Sequence, residues 1–180
     1  VVCSPDAISE MFNVPIKVGF APMAVVENVP ENESSFVELD YNTKKCINLL
    51  KKDNGIGLAG GITVNSESEI KPYLEYIKKE HKKRNPEINV IGDYVGLKKE
   101  LLQKNNEKRN YLYHITQQND NVWTAMLGKF TLAFSMAPEF YRRVYKDNPK
   151  KMTLKDIPDL SSSLISKTSW QEIVDSEKVA

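Results

Sequence analysis

The 180-residue chain has little cysteine and histidine and no long apolar run, and each shortage closes a class of explanation. Its two cysteines, Cys3 and Cys46, make no disulfide framework in a chain of this length. A reducing compartment suits them at least as well as an oxidising one. His81 and His114 are the only histidines. Neither has a Cys or carboxylate at ligand spacing, so no metal is expected. No stretch approaches the roughly 18 apolar residues of a membrane span. The most apolar one, Val122 to Ala137, is interrupted by Lys129. The opening Val1-Val2-Cys3-Ser4-Pro5 lacks the charged start and apolar core of a signal peptide, and it lacks an initiator Met. The expectation is an intracellular, cytoplasmic protein without membrane contact, met here as a fragment or a cleaved product.

What is present is ordinary for a globular chain: 41% hydrophobic and 27% charged residues. That composition supports a packed core rather than disorder. The length fits one compact domain, residues 1–180. Within it, 1–42 is an acidic part with short strands, 43–151 a basic middle alternating helix and strand, and 152–180 an extension ending in a helix.

Helix-start signals are the clearest landmarks. Ser4 before Pro5 opens a helix to about Phe12. Val14, Ile16, Val18 and Phe20 alternate, and Ala24 to Val29 and Phe36 to Leu39 are strand-like. Pro15, Pro22 and Pro30 predict that these strands are short or lie at an edge. Thr43 to Lys52 carries Ile47, Leu49 and Leu50 on a helical period, closed by Asn54-Gly55. Ile56 to Val64 suits a buried strand. Ser66 and Glu69 have capping-box spacing, and Ile70, Leu74 and Ile77 extend a helix to about Arg84. Pro72 implies either a kink or a start near Lys71. Ile88 to Ile91 predicts a strand, Tyr94 to Asn105 a helix with Leu97, Leu101 and Leu102 inward, and Tyr111 to Thr116 a strand. Val122 to Ala137 and Pro138 to Lys146 predict two helices, and Ser169 with Glu172 caps a last one. The expected fold is mixed α/β, or α+β, with a small short-stranded sheet and five to six helices. A mostly helical protein is the alternative, since short apolar runs fit either period.

A formal charge of +1 conceals a basic centre. Residues 1–70 sum to −5, residues 71–151 to +8 and residues 152–180 to −2. Three clusters produce the excess. Lys78, Lys79, Lys82, Lys83 and Arg84 end one helix, where the macrodipole alone favours cations. Lys98, Lys99, Lys104, Lys108 and Arg109 come second. Arg142, Arg143, Lys146, Lys150 and Lys151 come last, interleaved with Phe140, Tyr141 and Tyr145. Cations beside aromatics suit a phosphate backbone with stacked bases, as in single strands. A solvated amphipathic face accounts for any one cluster equally well.

Gly55-Ile56-Gly57-Leu58-Ala59-Gly60 matches G-x-G-x-x-G. Such glycines let a backbone approach a pyrophosphate when a strand precedes and a helix follows. Here the order is reversed, and a glycine-rich turn with close packing is the competing account. The same six residues resemble the first motif of peptide deformylases. That family also requires an Glu-Gly-Cys cysteine and an H-E-x-x-H helix. Cys46 lies in Lys-Lys-Cys-Ile, His81 precedes Lys-Lys-Arg and His114 precedes Ile-Thr-Gln, so the family is excluded. Glu38 and Asp40 share a strand face, as metal-nuclease carboxylates do, but no Glu-x-Lys element follows. No catalytic residue and no cofactor are expected.

The leading expectation is a non-enzymatic domain that binds nucleic acid, RNA or single strands, with Lys82, Lys83, Arg84, Arg109, Arg142, Arg143 and Lys146 on phosphates and Tyr141 and Tyr145 stacking. One alternative is a protein–protein or self-associating domain, a homo-oligomer held by opposite charges. The other is an enzyme holding a phosphorylated small molecule at Gly55, Gly57 and Gly60.

Overall fold

The computed structural model describes residues 1–43, 45–101, 113–150 and 165–178. Among them are four α-helices and seven strands in two antiparallel sheets, a mixed α/β architecture as expected. Two compact units are present: Val1–Val18 with Lys99–Asp159, and Gly19–Lys98 with Leu160–Ala180.

The second of these is built on a five-stranded sheet in the order β2-β3-β4-β1-β5. Its strands are β1 (Ile16–Glu27), β2 (Phe36–Asp40), β3 (Lys45–Lys51), β4 (Gly57–Gly61) and β5 (Asn89–Leu101). β1 and β5 also carry residues of the first unit. Pro22 does not break β1. Ala24 faces Ala59, yet four residues earlier Phe20 faces Val64, five residues further along the partner. The register therefore slips by one between Phe20 and Ala24, the stretch that holds Pro22.

Thr43 to Lys52, expected as a helix, is strand β3. It lies between β2 and β4 and presents apolar residues to both faces, so its apolar run carries no decisive period. Asn54 and Gly55 both take positive φ, 57° and 70°, and form the two-residue turn from β3 to β4. Tyr94 to Asn105 was expected as a helix, but its described part belongs to β5. Residues Asp93 to Leu97 alternate exposed and half-buried, and Leu97 is 61% exposed rather than inward. The remainder of that expected helix lies outside the described residues.

Helix α2 (Ile70–Arg84) follows a 3-10 turn at Glu67–Glu69. Ser66 and Glu69 form the expected capping box. Pro72 falls in the first helical turn, where its missing N–H leaves no intrahelical bond unmade. Leu74, Ile77 and His81 form the buried stripe. With Ala24, Val26, Val29, Leu49, Ala59 and Ile88, Ile77 makes the core, flanked by Phe36, Tyr73, Tyr76 and Val90. Helix α4 (Ser169–Glu177) is capped one residue earlier than expected, by Thr168 with Gln171. Its Trp170 stacks under the Lys52 ammonium, and Ile173 meets Gly92.

Two local constraints shape this unit. Lys51 Nζ donates to the carbonyls of Pro30, Glu31 and Glu33 at 2.9, 2.5 and 3.1 Å, which closes the loop before β2. The Tyr73 hydroxyl donates to the Cys46 carbonyl and accepts from the Ile62 N–H, both at 2.8 Å. That clamp fits only because Gly61 has no side chain: a Cβ there would collide with the Tyr73 hydroxyl and the Cys46 carbonyl.

The first unit contains α1 (Pro5–Phe12), the hairpin of β6 (Tyr113–Asn119) and β7 (Val122–Leu127), and α3 (Ala133–Tyr145). Val2 bridges to Thr124 in parallel, adding a short third edge to the hairpin. Val122 to Ala137, expected as one helix, divides into β7 and the start of α3. The turn at Asp120 and Asn121 imposes the hairpin and so the extended form of Val122 to Leu127. A second helix was expected to begin at Pro138, yet α3 runs through it. The carbonyl that this proline leaves unbonded belongs to Phe134, which is 84% exposed, so water can satisfy it. The described helices number four where five to six were expected; of the individual helical segments named above, two are strand in their described parts and two are joined in α3.

Replacing Gly61 with Ala is expected to lower stability by about 1–3 kcal/mol, the usual range for overpacking. Gly96→Ala, whose Cβ would meet nothing closer than 3.7 Å, should change it by less than about 0.5 kcal/mol. Urea denaturation of the two variants checks the contrast.

Candidate nucleic-acid interface

The basic clusters of the sequence fall in different units, and most of their cations already have partners. At the C-terminal end of α2, Lys78 bridges Glu75 at 3.3 Å and Asp93 at 2.9 Å. Lys82 donates to the Ile88 carbonyl at 2.8 Å, and Lys83 pairs with Glu80 at 2.7 Å. Arg84 is the most constrained. Its guanidinium lies 4.0 Å above the centre of the Phe36 ring and reaches Glu38 at 3.2 Å and Glu33 at 3.6 Å. Lys82, Lys83 and Arg84, three of the expected phosphate contacts, are thus engaged within their own unit. The second cluster lies mostly outside the described residues, Arg109 included. Of its described members, Lys99 pairs with Asp6.

On α3 the arrangement is mixed. Arg143 Nη1 donates to the Ile115 carbonyl at 2.9 Å, and its Nε bonds Glu139 at 2.9 Å. It ties the helix to β6, 28 residues away in sequence, while Phe140 meets Trp123 edge-on at 5.9 Å. Arg142 bonds Asn148 at 3.1 Å and Glu139 at 3.4 Å. The hydrogen bond from Arg143 holds the Glu139 carboxyl below its ordinary range, with Arg142 adding to the effect. Lys146 ends α3 in a left-handed conformation, φ 56°, and forms no ion pair among the described residues. Tyr141 and Tyr145 lie 4.6 Å apart between ring centres, with Tyr145 64% exposed. Phe134, Pro138, Tyr141 and Tyr145 follow one another at four, three and four residues, so they share one helical face. The sequence reading missed Phe134 because it placed that residue inside a buried helix.

Charge divides in the same way. The unit of Val1–Val18 and Lys99–Asp159 sums to +3, and the unit of Gly19–Lys98 and Leu160–Ala180 to −2. The unit that contains α3 is thus net positive and the unit that contains α2 net negative, although α2 itself sums to +4 and α3 to +1.

The remaining candidates are placed as follows. Gly55 occupies the β3–β4 turn, and Gly57 and Gly60 lie in β4. A Cβ on Gly57 would meet Leu49 at 2.8 Å and Val29 at 2.9 Å, and one on Gly60 would strike Met23. Close packing accounts for both. Glu38 and Asp40 line a cleft of about 260 Å3 with Thr43, Lys45, Ile47, Tyr76 and Glu80. Asp40 is turned to its own loop, accepting from Thr43 Oγ1 at 2.6 Å and from the Asn42 N–H at 2.9 Å. Those bonds, the Thr43 hydroxyl's first, hold its carboxyl below the ordinary range. The Lys45 ammonium sits 5.0 Å from the centre of the Tyr76 ring. Among the described residues no group of three or more His, Cys, Asp or Glu is placed to hold a metal. No described helix is long and apolar enough to cross a membrane. Cys3 is exposed and Cys46 buried, and neither forms a disulfide among the described residues.

No protein-family model and no curated protein matches the chain.

Arg143→Ala is expected to destabilise the protein by about 1.5–3 kcal/mol, the range for a lost hydrogen bond from a charged donor. Lys146→Ala should stay within about 0.5 kcal/mol of the parent. Thermal denaturation of the two variants separates the anchoring cation from the unengaged one.

Proposed function

We propose that the unit carrying α3 binds single-stranded nucleic acid, RNA or DNA, without sequence selection and without catalysis. The observation that carries this reading is the exposed Tyr145, paired with Tyr141 on the same helical face and next to Lys146, which forms no ion pair among the described residues, in the unit that holds the net positive charge. Arg142 and Lys146 stand one helical turn apart, so both face a backbone laid along that end of α3. Phe134 and Tyr145 offer ring faces to bases, and Arg143 positions the helix rather than contacting phosphate. Lys82, Lys83 and Arg84 are set aside as primary contacts because they lie in the unit of net negative charge. A labelled uridine oligonucleotide, followed by fluorescence anisotropy from about 50 to 200 mM salt, tests the proposal. With two or three phosphates neutralised, the logarithmic slope should be about −1.5 to −2. Tyr145→Ala should weaken binding by about 1–3 kcal/mol, and Lys146→Glu should weaken it further at low salt. No binding at the lowest salt, or equal affinity in the Lys146→Glu variant, overturns it.

Self-association is a second reading, and one observation favours it. Val37, Leu39 and Leu50 stand on one face of β2 and β3 at 75%, 44% and 46% exposure, and β2 is an edge strand. Sedimentation velocity at low and high protein concentration decides it. A dimer is expected to dissociate on Leu39→Glu, and a monomer at every concentration removes this reading.

A further inference from the structure

His81 occupies a position where the pattern of α2 calls for an aliphatic residue. It completes the stripe of Leu74 and Ile77 at 1% exposure. Among the described residues neither ring nitrogen has a hydrogen-bond partner, and the buried side-chain nitrogen of Asn85 has none there either. The Asn48 backbone favours the charged ring, an effect second in size only to burial, though it is not in hydrogen-bond geometry. An aliphatic side chain would bury the same volume without orphaned nitrogens, so core packing alone does not explain a histidine here.

The surroundings connect this ring to the basic end of the helix. His81 packs on Phe36 of β2 at 5.8 Å between ring centres, and the Arg84 guanidinium covers Phe36 at 4.0 Å. The charged groups that face His81 are Arg84, on its own helix, and Glu33, on the loop before β2. Glu38 of β2 acts through its bond to Arg84, and β3 offers the Asn48 backbone but no charge. One ring on one strand therefore holds both the histidine and the arginine. Lys82 and Lys83 lie on the same helical turn.

We propose that His81 is the trigger of an acid-sensitive latch: a proton on its ring undocks the last turn of α2 from β2 and frees Arg84 for an anionic partner. The neutral ring is tolerated between α2 and the sheet. The charged ring would be a buried cation beside the Arg84 guanidinium, with no acceptor in bonding geometry. Opening the turn lets water solvate the imidazolium and breaks the Phe36 stack that positions Arg84.

The sign follows from the protonation equilibrium. Burial pushes the His81 pKa below its ordinary 6.5, with Arg84 adding to the effect. The undocked form takes up a proton near the ordinary value while the docked form resists it. Docking is therefore at full strength above about pH 6.5 and weakens as pH falls below it, until the docked form titrates too. Each unit of pH within that window multiplies the undocked fraction by about ten.

Hydrogen exchange of the amides at residues 77–85, read at about pH 7.5 and 5.5 after correction for intrinsic rates, tests the latch above the general carboxylate range. The undocked population should rise in the parent, by at most about tenfold. His81→Leu should abolish that rise while leaving docking at the higher pH intact. Should the leucine variant fail to fold, His81→Asn, which takes up no proton in this range, serves in its place. His114→Asn should keep the parent response. An unchanged population in the parent, or a rise that survives in the folded His81 variant, overturns the proposal.

Discussion

Strand β4 has almost no side chains, and the packing of its unit depends on that. Gly57, Ala59, Gly60 and Gly61 let Leu49, Val29, Met23 and Tyr73 fill space that side chains of β4 would otherwise take. Tyr73 can then bond two backbone groups of the sheet directly, one on β3 and one just beyond β4. That contact sets the distance of α2 from the sheet, and the distance sets what the helix can bury. Small residues in a strand cost conformational entropy. Here the loss is offset by neighbours that reach over the strand from both faces.

The cations of α2 illustrate how a charge run differs from a charge surface. Five positive side chains in seven residues suggest a field directed at a partner. Instead, four are spent on Glu75, Asp93, Ile88, Glu80, Glu33, Glu38 and Phe36. Exposed pairs of this kind add little stability each. Their larger effect is to weaken the local field, whereas Lys146 at the end of α3 forms no ion pair among the described residues.

The sequence was legible where chemistry is local. Ser4-Pro5, the Ser66/Glu69 box, the strand from Ala24 and the helix to Arg84 follow from capping, period and proline rules. It was misleading where pairing partners decide. Cys46, Ile47, Leu49 and Leu50 show no helical or strand period because β3 is covered on both faces near its middle, and only β2 and β4 make it extended. The Asn54-Gly55 pair after an apolar run is the hairpin signal that could have corrected that reading. Asn119-Asp120-Asn121 before Val122 is a second one. For the proposed site, composition offered Tyr141, Tyr145 and Lys146 as candidates. It could not show that Arg143 is an anchor, because its acceptor is a carbonyl 28 residues away. Nor could it show that His81 is buried without partners, since a histidine among lysines looks like a solvated one.

Lys51 leads to a consequence of another kind. Its ammonium is enclosed by three carbonyl oxygens of a loop that precedes it by about twenty residues. A nitrogen whose protons are all directed at fixed acceptors is a poor nucleophile, because attack requires both deprotonation and withdrawal from the cage. In a chain with 21 lysines, amine-reactive reagents and acetylating enzymes would therefore treat this one as inert while modifying its exposed neighbours. Any change that opened the loop before β2 would register as the sudden reactivity of a single lysine.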